Sequence, residues 1–588
     1  MRLLHVRIIL TVSAFWLLGC NRTEAPLPFG PVPSENQMNW QEMEYYAFVH
    51  FSLNTYTDQP WGFGNEDVNL FNPTRLDCRQ WARVCKEAGM KGIILTAKHH
   101  CGFCLWPSEY TEYSVKNAPW RDGKGDVVRE LADACREYGL KLGIYLSPWD
   151  RNHPDYGRPG YITYFRNQLT ELLTRYGPVF EVWFDGANGG SGYYGGANET
   201  RTIDRKVYYD WGNTYSLIRG LQPHMVIWND GGDRGDLRWV GTEAGFVGET
   251  NWSLLNATGE VEWAMLHYGL ETGDSWVPAE VNTSIRPEWF YHPGEDAKVK
   301  SVPQLMDTYY NSIGRNGSLL LNFPIMPNGL IHENDEKAAL DFAGAVKEAF
   351  AVNLAVKKKT VASNTRGNSK KFGPAKAIDN DKDTYWATDD EVINASLTID
   401  LGQPTTFNRF LVQEYIRLGQ RVKSFTIEAL VDGKWKELAK ATTIGYKRVL
   451  RFPTVTATRL RLNITDSKSC PVISNIGIYN APQVLDPPSV NSKKYAGPFQ
   501  IAGKLVIRAI AFDPANGKSS PERREEFDIP RKDWKLVDQG EFSNIKNNPV
   551  WQLKRFTPVK ARYMKPRALS NTQGDHETGY AEVDLITG

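Results

Sequence analysis

Short apolar runs that end in histidine or in a carboxylate recur along this 588-residue chain. The run GIILT stops just before the adjacent His99 and His100, AFVHFS carries His50, and VFEVWFDG ends on Asp185. Two further runs, LKLGIYLSPWD and SLLLNFP, end near Tyr145, Trp149 and Asn322. Such side chains suit acid–base and nucleophilic catalysis. Apolar strands that end in them are typical of the C-terminal rim of a (β/α)-barrel, where such enzymes hold their catalytic residues.

The elements around these residues alternate between strand and helix patterns from about residue 40 to 350. GIILT is too short for a helix and reads as a buried parallel strand. The segments CRQWARVCKEAGM and GDVVRELADACREYGL have apolar residues at helical spacing, and each precedes a strand-like run. This repetition predicts an α/β fold, a (β/α)8-like TIM barrel. After about residue 354, short strands separated by turn residues predict antiparallel β-sandwich domains.

These patterns predict five regions, because a chain of this length exceeds a single hydrophobic core. They are a signal peptide at 1–20, a tether at 21–39, a barrel at 40–353, a β-sandwich at 354–482 and a second β-rich module at 489–588. The Pro-rich segment QVLDPPS lies at the last boundary.

The N-terminus resembles a bacterial lipoprotein signal. Its apolar run follows Arg2 and Arg7, is too short for a membrane span, and ends in Leu-Leu-Gly-Cys. The resemblance implies acylation of Cys20 and a lipid-anchored protein of the bacterial cell envelope. An ordinary secretory signal with a chance cysteine is the alternative.

Bulk composition excludes few functions. The formal net charge is +1, so electrostatics does not indicate a nucleic-acid partner. Nineteen tryptophans indicate either large cores or aromatic faces that stack on sugar rings. The six cysteines after Cys20 are expected to be reduced and buried, since the CxxC motif at Cys101 and Cys104 has no partner pair for a zinc site.

Six motifs in order identify a family resemblance over residues 40–350. They are AFVHFSLNTYTDQPWG, AKHHCGFCLWPSEYTEYSV, LKLGIYLSPWDRN, EVWFDGANG, LRWVGTEAG and SIRPEWFYH. Together they resemble the α-L-fucosidases of glycoside hydrolase family 29, in the branch that acts on α-1,3/1,4-linked fucose. The resemblance implies a barrel and a retaining double displacement with two carboxylates. Further on, AKAIDNDKDTYWAT followed by SLTIDLG resembles a discoidin-like β-sandwich, and the last module resembles part of one.

The resemblance assigns the two carboxylates. Asp185 corresponds to the nucleophile, with a turn cap beside Gly186 as the alternative role. Glu243 in WVGTEAG corresponds to the acid/base, and Glu249 and Glu280 remain alternatives.

A set of sugar-binding side chains is also predicted. The resemblance implies His50, His99 and His100, the aromatic candidates to line the pocket are Trp61, Tyr145, Trp183 and Trp289, and Glu66 is a further candidate. The histidines would hydrogen-bond hydroxyl groups, with structural burial as the alternative, and the aromatic residues would line the pocket or belong to the core. No cofactor is expected. A metal site is disfavoured because adjacent histidines are too closely spaced to bind one ion easily and no HExxH motif follows.

Two positions depart from the family pattern. Cys101 stands where the family commonly has Asp, and Pro60 stands where it commonly has a sugar-binding Glu. Glu66 is the candidate substitute for the missing carboxylate. The loss would weaken fucose binding or admit a related sugar such as L-galactose.

The sequence therefore predicts a retaining exo-α-L-fucosidase that acts on fucosylated glycans and is held to the membrane by a lipid anchor. The alternatives are a retaining glycosidase for a related L-sugar such as α-L-galactose and a non-catalytic glycan-binding lipoprotein. The sequence indicates no oligomeric state.

Overall fold

The computed structural model describes residues 23–59, 61–186, 189–259 and 261–482, together with four strands between residues 503 and 529. The chain divides into two compact units with the boundary after Ala481. The first unit contains the barrel and the sandwich-type sheet. None of the helices in the described ranges has the length and apolar character needed to cross a bilayer.

The first part of this unit alternates helices with mostly short strands. The strands are β1 (Tyr45–His50), β2 (Gly92–Lys98), β3 (Lys141–Leu146), β4 (Val179–Phe184), β5 (Gly189–Gly192), β6 (Glu199–Thr202), β7 (Val226–Asn229), β8 (Arg238–Trp239), β9 (Leu254–Leu255), β10 (Ser275–Trp276), β11 (Ala279–Ser284) and β12 (Gly317–Pro324). The α-helices are α1 (Glu35–Gln41), α2 (Asn54–Thr57), α3 (Cys78–Glu87), α4 (Val127–Tyr138), α5 (Pro159–Arg175), α6 (Trp211–Leu221), α7 (Trp263–Tyr268), α8 (Val302–Asn311) and α9 (Glu333–Ala349).

Eight parallel strands form the barrel, in the order β7-β4-β3-β2-β1-β12-β11-β8. A parallel bridge between Trp228 and Leu237 joins the two ends, so the barrel is nearly closed. The predicted (β/α)8-like TIM barrel is therefore confirmed. All parallel strands deliver their carboxyl ends to one rim.

The local sequence accounts for these elements. Every residue of β2 is buried, as expected for a parallel strand covered on both faces. The Asp77 and Asp126 side chains accept hydrogen bonds from backbone N–H groups in the first turns of α3 and α4. Gly139 ends α4 in a left-handed conformation (φ 65°) that costs glycine little. All six cysteines of the described residues are free, buried thiols, as predicted.

An antiparallel sheet domain follows the barrel. Its strands are β13 (Lys359–Ala362), β14 (Trp386–Ala387), β15 (Ala395–Glu414), β16 (Val422–Val431), β17 (Lys434–Ala441), β18 (Arg448–Ser467) and β19 (Val472–Tyr479). The order is β14-β19-β15-β18-β16-β17, with β13 paired to β15, as expected for the discoidin-like sandwich. The runs ASLTIDLG and FNRFLVQEYI, predicted as separate strands, lie largely in the single strand β15, whose pairing with β18 shifts register between Asp400 and Thr405.

The sheet domain packs directly on the barrel within the first unit. The shared contact is an apolar cluster of Met38, Trp252, Leu254, Trp276, Ile416 and Tyr446. The N-terminal segment predicted as a tether also lies against the sheet domain, because Arg366 and Arg421 donate to the backbone oxygens of Glu24 and Leu27. The described part of this segment is thus bound, and its end forms α1.

The second unit is described by four strands. They are β20 (Gly503–Ala509), β21 (Phe512–Asp513), β22 (Lys518–Ser519) and β23 (Arg523–Ile529). Strand β20 pairs with β23 and β21 with β22, both antiparallel. The module predicted at 489–588 otherwise lies outside the described residues and stays a prediction.

Candidate active site

The C-terminal rim of the barrel brings the predicted histidines and Asp185 together. His50 is the last residue of β1, His99 and His100 follow β2 directly, and Asp185 follows β4. The His99 and His100 ring centroids are 4.2 Å apart, and that of His50 lies 5.8 Å from His99. All three histidines are buried. Distant sequence motifs thus form one cluster.

Asp185 is held by two donors from neighbouring strand ends. The Tyr145 hydroxyl donates to Oδ2 of Asp185 at 3.1 Å, and Nε2 of His100 lies 3.4 Å from the same oxygen. Burial alone would raise the pKa of Asp185, but His100 and the Tyr145 hydrogen bond outweigh it and place the pKa below its usual value. The Asp185 side chain keeps 36% of its surface exposed. An ionised carboxylate therefore faces accessible space.

Hydrogen bonds fix which nitrogen of His100 faces Asp185. The Ser147 hydroxyl donates to the backbone oxygen of Trp149 at 2.6 Å and lies 2.7 Å from Nδ1 of His100. Because that hydroxyl proton is already used, Ser147 accepts from an Nδ1–H of His100. Nε2 is the nitrogen directed at Asp185, and it donates to that carboxylate when His100 carries a proton on both ring nitrogens.

The same reasoning assigns the proton of His50. The amide nitrogen of Asn322 donates to the Trp289 backbone oxygen and to Ser284 Oγ, both at 2.9 Å, so Oδ1 of Asn322 must accept. That oxygen lies 2.7 Å from Nδ1 of His50, which therefore carries the proton. Burial lowers the pKa of His50 to about 3. His50 is a neutral imidazole whose Nε2 can accept a hydroxyl proton.

His99 completes the cluster. Its ring stacks on Tyr145 at 5.6 Å between centroids, and burial followed by the neighbouring His100 lowers its pKa well below the usual value. Single ligand atoms of His99, His100 and Asp185 all lie within 4.8 Å of one another. The argument that adjacent histidines are too closely spaced for one ion is therefore wrong for these positions.

Glu243 lies at the rim and accepts a hydrogen bond from Trp289. The indole Nε1 of Trp289 donates to Oε2 of Glu243 at 3.0 Å. Partial desolvation raises the pKa of Glu243, the Trp289 hydrogen bond lowers it, and the charge of Asp185 raises it again, so that the pKa lies above its usual value. Glu243 therefore keeps its proton to a higher pH than an ordinary carboxyl group does, beside an ionised Asp185.

The two alternative acid/base residues lie elsewhere. Glu280 is fully buried in β11 and accepts hydrogen bonds from Tyr46 and Trp183, the latter at 2.7 Å. Glu249 contacts Arg448 of the sheet domain at 3.1 Å. Neither carboxylate hydrogen-bonds to the histidine cluster within the described residues.

Aromatic rings line the space around these groups. Trp183 stacks on Trp228 at 3.5 Å and on Tyr145 at 5.6 Å, and its side chain is buried. Trp61 is 57% exposed, with its ring 5.7 Å from that of His100. Trp289 lies 5.1 Å from His50. Trp61 and Trp289 are thus placed at the histidine cluster, and Trp183 forms its floor.

Glu66 is occupied by its own loop. Its carboxylate accepts from the backbone N–H groups of Phe63 and Gly64 and from the Tyr113 hydroxyl. These bonds shape the loop after Trp61 and show no contact with the histidines. Pro60, the family departure in this loop, and Cys20, the predicted lipidation site, lie outside the described residues.

The second family departure, Cys101, does not face the pocket. It is fully buried, its Sγ lies 3.3 Å from Ser52 Oγ, and burial raises the pKa of its thiol to about 12. Cys101 is therefore a neutral packing residue directly behind His100.

Several residues around the site were not predicted as site residues. Asn322 and Ser147 set the histidine protonation, and Trp228 supports Trp183. Asp230 follows β7 next to Asp185, and burial followed by the Asp185 charge raises its pKa well above the usual value. The strand-end pattern already marks Asn322 and applies equally to Asp230, whereas the role of Ser147 depends on tertiary contacts.

Comparison with known proteins agrees with this geometry. Residues 29–347 match the alpha-L-fucosidase family model, and residues 359–476 match the F5/8 type C domain. Alpha-L-fucosidase 1 of Arabidopsis thaliana is 43% identical over 463 residues, which cover 77% of this chain and 88% of that protein.

Solved structures extend the likeness. A glycoside hydrolase 29 family member from an unknown rumen bacterium is 53% identical, with a TM-score of 0.72 over 91% of this chain and 95% of that one. A Ruminococcus gnavus GH29 fucosidase in complex with fucose is 31% identical, with a TM-score of 0.71 over 79% of this chain and 97% of that one. Matched over more than half its length by the family model, the chain belongs to the α-L-fucosidases of glycoside hydrolase family 29 and hydrolyses α-L-fucosides.

Proposed function

We propose that this α-L-fucosidase is a retaining exo-enzyme that removes α-1,3/1,4-linked fucose from glycans by double displacement, with Asp185 as nucleophile and Glu243 as acid/base. The observation that carries the proposal is the opposite tuning of the two carboxyl groups. Asp185 has a lowered pKa beside His100 and Tyr145, and Glu243 has a raised pKa at the rim. One acid and one ionised carboxylate are what this reaction requires at neutral pH.

In the first step Oδ of Asp185 attacks the anomeric carbon of fucose. The bond from that carbon to the glycosidic oxygen breaks, and the oxygen takes the proton of Glu243 and leaves with the rest of the glycan. The Trp289 N–H bonded to Glu243 stabilises the carboxylate that forms. The product is a covalent fucosyl ester of Asp185.

In the second step ionised Glu243 accepts a proton from water, and the water oxygen attacks the anomeric carbon. The ester bond to Asp185 breaks and releases the carboxylate, which Tyr145 and His100 stabilise again. Two inversions leave the anomeric configuration unchanged. Glu243 ends protonated, and the cycle is complete.

The neutral histidines supply hydroxyl recognition. His50 presents an acceptor Nε2 because Asn322 fixes its proton on Nδ1. The buried Trp183 and the more exposed Trp61 and Trp289 offer apolar surface for the sugar ring and its methyl group. The pocket walls are thus complementary to a deoxy sugar with few hydroxyl groups.

Sugar and linkage preference are tested together. Initial rates are measured on aryl α-L-fucoside and aryl α-L-galactoside, and then on oligosaccharides with α-1,2-, α-1,3-, α-1,4- or α-1,6-linked fucose. The proposal requires preference for the fucoside and for the α-1,3/1,4 linkages. Proton NMR of the first-formed sugar must show the α anomer. A β anomer would contradict retention, and preference for α-1,2 or α-1,6 linkages would contradict the branch.

We also propose that the enzyme is a lipid-anchored protein of a bacterial cell envelope, supported by the Leu-Leu-Gly-Cys sequence that ends at Cys20. Cys20→Ala should move the protein out of the membrane fraction, since acyl chains on Cys20 are the anchor. If the variant has lost its signal peptide and still stays in the membrane fraction, the result contradicts anchoring through Cys20.

A further inference from the structure

Helix α7 carries apolar side chains in solvent. None of its six residues, WAMLHY, is buried. Trp263 is 63% exposed and Tyr268 46% exposed, while Phe246 of the preceding loop is 39% exposed. Isolated exposed aromatic residues are common, so the neighbours of Trp263 decide whether it belongs to a binding surface.

The backbone holds α7 in a fixed position despite this exposure. The N–H groups of Gly248 and Trp252 donate to the backbone oxygens of His267 and Tyr268, at 3.2 and 2.9 Å. The buried Arg238 of β8 donates through Nε to the Leu266 oxygen at 3.0 Å. Trp263 is therefore presented by a supported element, so that ligand binding would order little backbone.

Trp263 packs against the barrel strand β8. Its ring packs edge-on against Trp239 at 5.1 Å between centroids. Trp239 and Trp289 both pack on the aromatic cluster inside the barrel that contains Trp183. Trp263 is thus connected through one ring to the group of residues that line the site.

Trp263 also borders the acid/base loop. A Cβ added at Gly241 would lie 3.3 Å from Cε2 of Trp263, so the indole is in contact with the backbone two residues before Glu243. Glu243 is exposed at this point and bonds to Trp289. The open side of Glu243 and the exposed indole therefore belong to one surface.

We infer that Trp263 forms the leaving-group subsite and stacks on the pyranose ring of the sugar to which fucose is attached. The inference rests on the proposed role of Glu243. An acid that protonates the glycosidic oxygen must lie beside that oxygen, so the leaving sugar must lie on the Glu243 side of the pocket. The apolar C–H face of a pyranose is complementary to an indole face. The preferred substrate is then an oligosaccharide in which fucose is linked to another sugar, rather than a fucoside of a non-sugar group.

The test compares Trp263→Ala, Trp263→Phe and wild type on two substrates, α-L-fucosyl fluoride, whose leaving group is a single atom that cannot reach Trp263, and a fucosylated trisaccharide. Trp435→Ala is the matched control, because Trp435 is a solvent-accessible tryptophan on β17 of the sheet domain. We expect Trp263→Ala to lower kcat/KM on the trisaccharide about tenfold, the size of one lost aromatic contact, and to change kcat/KM on the fluoride less than about twofold. Trp263→Phe should recover part of the loss, and Trp435→Ala should match wild type.

An equal loss on both substrates, or no loss on the trisaccharide, would overturn the subsite. If the wild-type enzyme cleaves neither substrate, the result contradicts the proposed function and not the subsite. The subsite is then read without turnover, by calorimetric binding of the trisaccharide to Asp185→Asn and to Asp185→Asn/Trp263→Ala. Weaker binding by the double variant supports it, and equal binding rejects it.

Discussion

Strand β4 carries two carboxyl groups of the same chemical type in opposite environments. Glu181 and Asp185 are four residues apart, and alternation along a strand directs both to the barrel interior. Asp185 lies past the end of the strand, receives hydrogen bonds and keeps 36% of its side chain exposed. Glu181 lies in the middle of the strand and is fully buried. The difference in depth decides which of them can react.

Glu181 has a carboxyl partner instead of cationic or hydroxyl donors. Its Oε2 accepts from Trp40 at 2.9 Å, while its Oε1 has no donor among the described residues. Burial, and then the neighbouring Glu280, raise the pKa of Glu181 well above its usual value. Two ionised carboxylates buried next to each other would repel, so Glu181 keeps its proton at a pH far above the usual carboxyl pKa. Burial and the neighbouring carboxyl group thus keep Glu181 neutral, whereas hydrogen-bond donors keep Asp185 ionised.

The buried pair of Glu181 and Glu280 also supports the site. Glu280 accepts from Trp183, whose ring stacks on Tyr145, and Tyr145 donates to Asp185. The comparison teaches that one strand supplies both the reactive carboxylate and part of the structure that orients it.

Replacement of the exposed member should have the largest effect. Asp185→Ala should lower kcat by about a thousandfold or more, since it removes the attacking atom, while circular dichroism and the thermal midpoint stay close to wild type. Added azide should restore part of the rate and give the inverted azide product. A variant with wild-type turnover would remove Asp185 from the nucleophile role.

Glu243→Gln should come next and should depend on the leaving group. Loss of general-acid catalysis should lower the rate on oligosaccharides by about 10²–10⁴-fold and on activated aryl fucosides much less. Ionisation of Glu243 ends activity at high pH, and its raised pKa places this limb above the usual carboxyl range. The variant should lose that alkaline limb in kcat/KM. Equal losses on both substrate types would exclude Glu243 as the acid.

Glu280→Ala should mainly lower stability. It leaves the Tyr46 hydroxyl and the Trp183 N–H buried without their acceptor, at a cost of about 2–5 kcal/mol in the free energy of unfolding. Urea titration measures the loss. Glu137→Ala, at the solvent-exposed ion pair with Arg79, is the control and should cost less than about 1 kcal/mol. Equal losses in the free energy of unfolding would show that the buried carboxyl pair stabilises the fold no more than an exposed ion pair does.

Glu181→Gln should have the smallest effect at acidic pH. The Gln oxygen can accept from Trp40, and the neutral amide places no charge beside Glu280. The folded-state pKa of Glu181 is raised, so the folded protein binds more protons than the unfolded chain above the usual carboxyl pKa. Wild-type stability should therefore fall with rising pH, by up to about 1.4 kcal/mol per pH unit for one proton.

That slope is absent when the group cannot titrate. Glu181→Gln should match wild type near pH 5 and become relatively more stable towards pH 8 in urea unfolding. Parallel pH profiles for the two proteins would mean that Glu181 is ionised in the folded state.

Much of this arrangement was predictable from the sequence. The strand-end rule identified His50, His99, His100 and Asp185 because parallel strands deliver their carboxyl ends to one rim. The family motifs identified Glu243, which lies on a loop where no periodic pattern could indicate it. The structure brings both sets to the same rim.

Other features depend on tertiary contacts. Glu66 was predicted to bind sugar, and its carboxylate bonds to its own loop and Tyr113. Glu280 was an alternative acid, and it is sealed by Tyr46 and Trp183. The sequence shows that a carboxylate is present, but only the packing of residues distant in the chain decides whether water or an indole N–H is its neighbour.

Covalent trapping tests the central claim most directly. The wild-type enzyme is incubated with an activated 2-deoxy-2-fluoro-α-L-fucoside, whose fluorine slows hydrolysis of the ester more than its formation. The protein is then digested and the labelled peptide sequenced by mass spectrometry. The proposed mechanism predicts one fluorofucosyl ester on Asp185. A label on Glu181, Asp230 or Glu243 would contradict it. Loss of activity without any covalent label would contradict it as well.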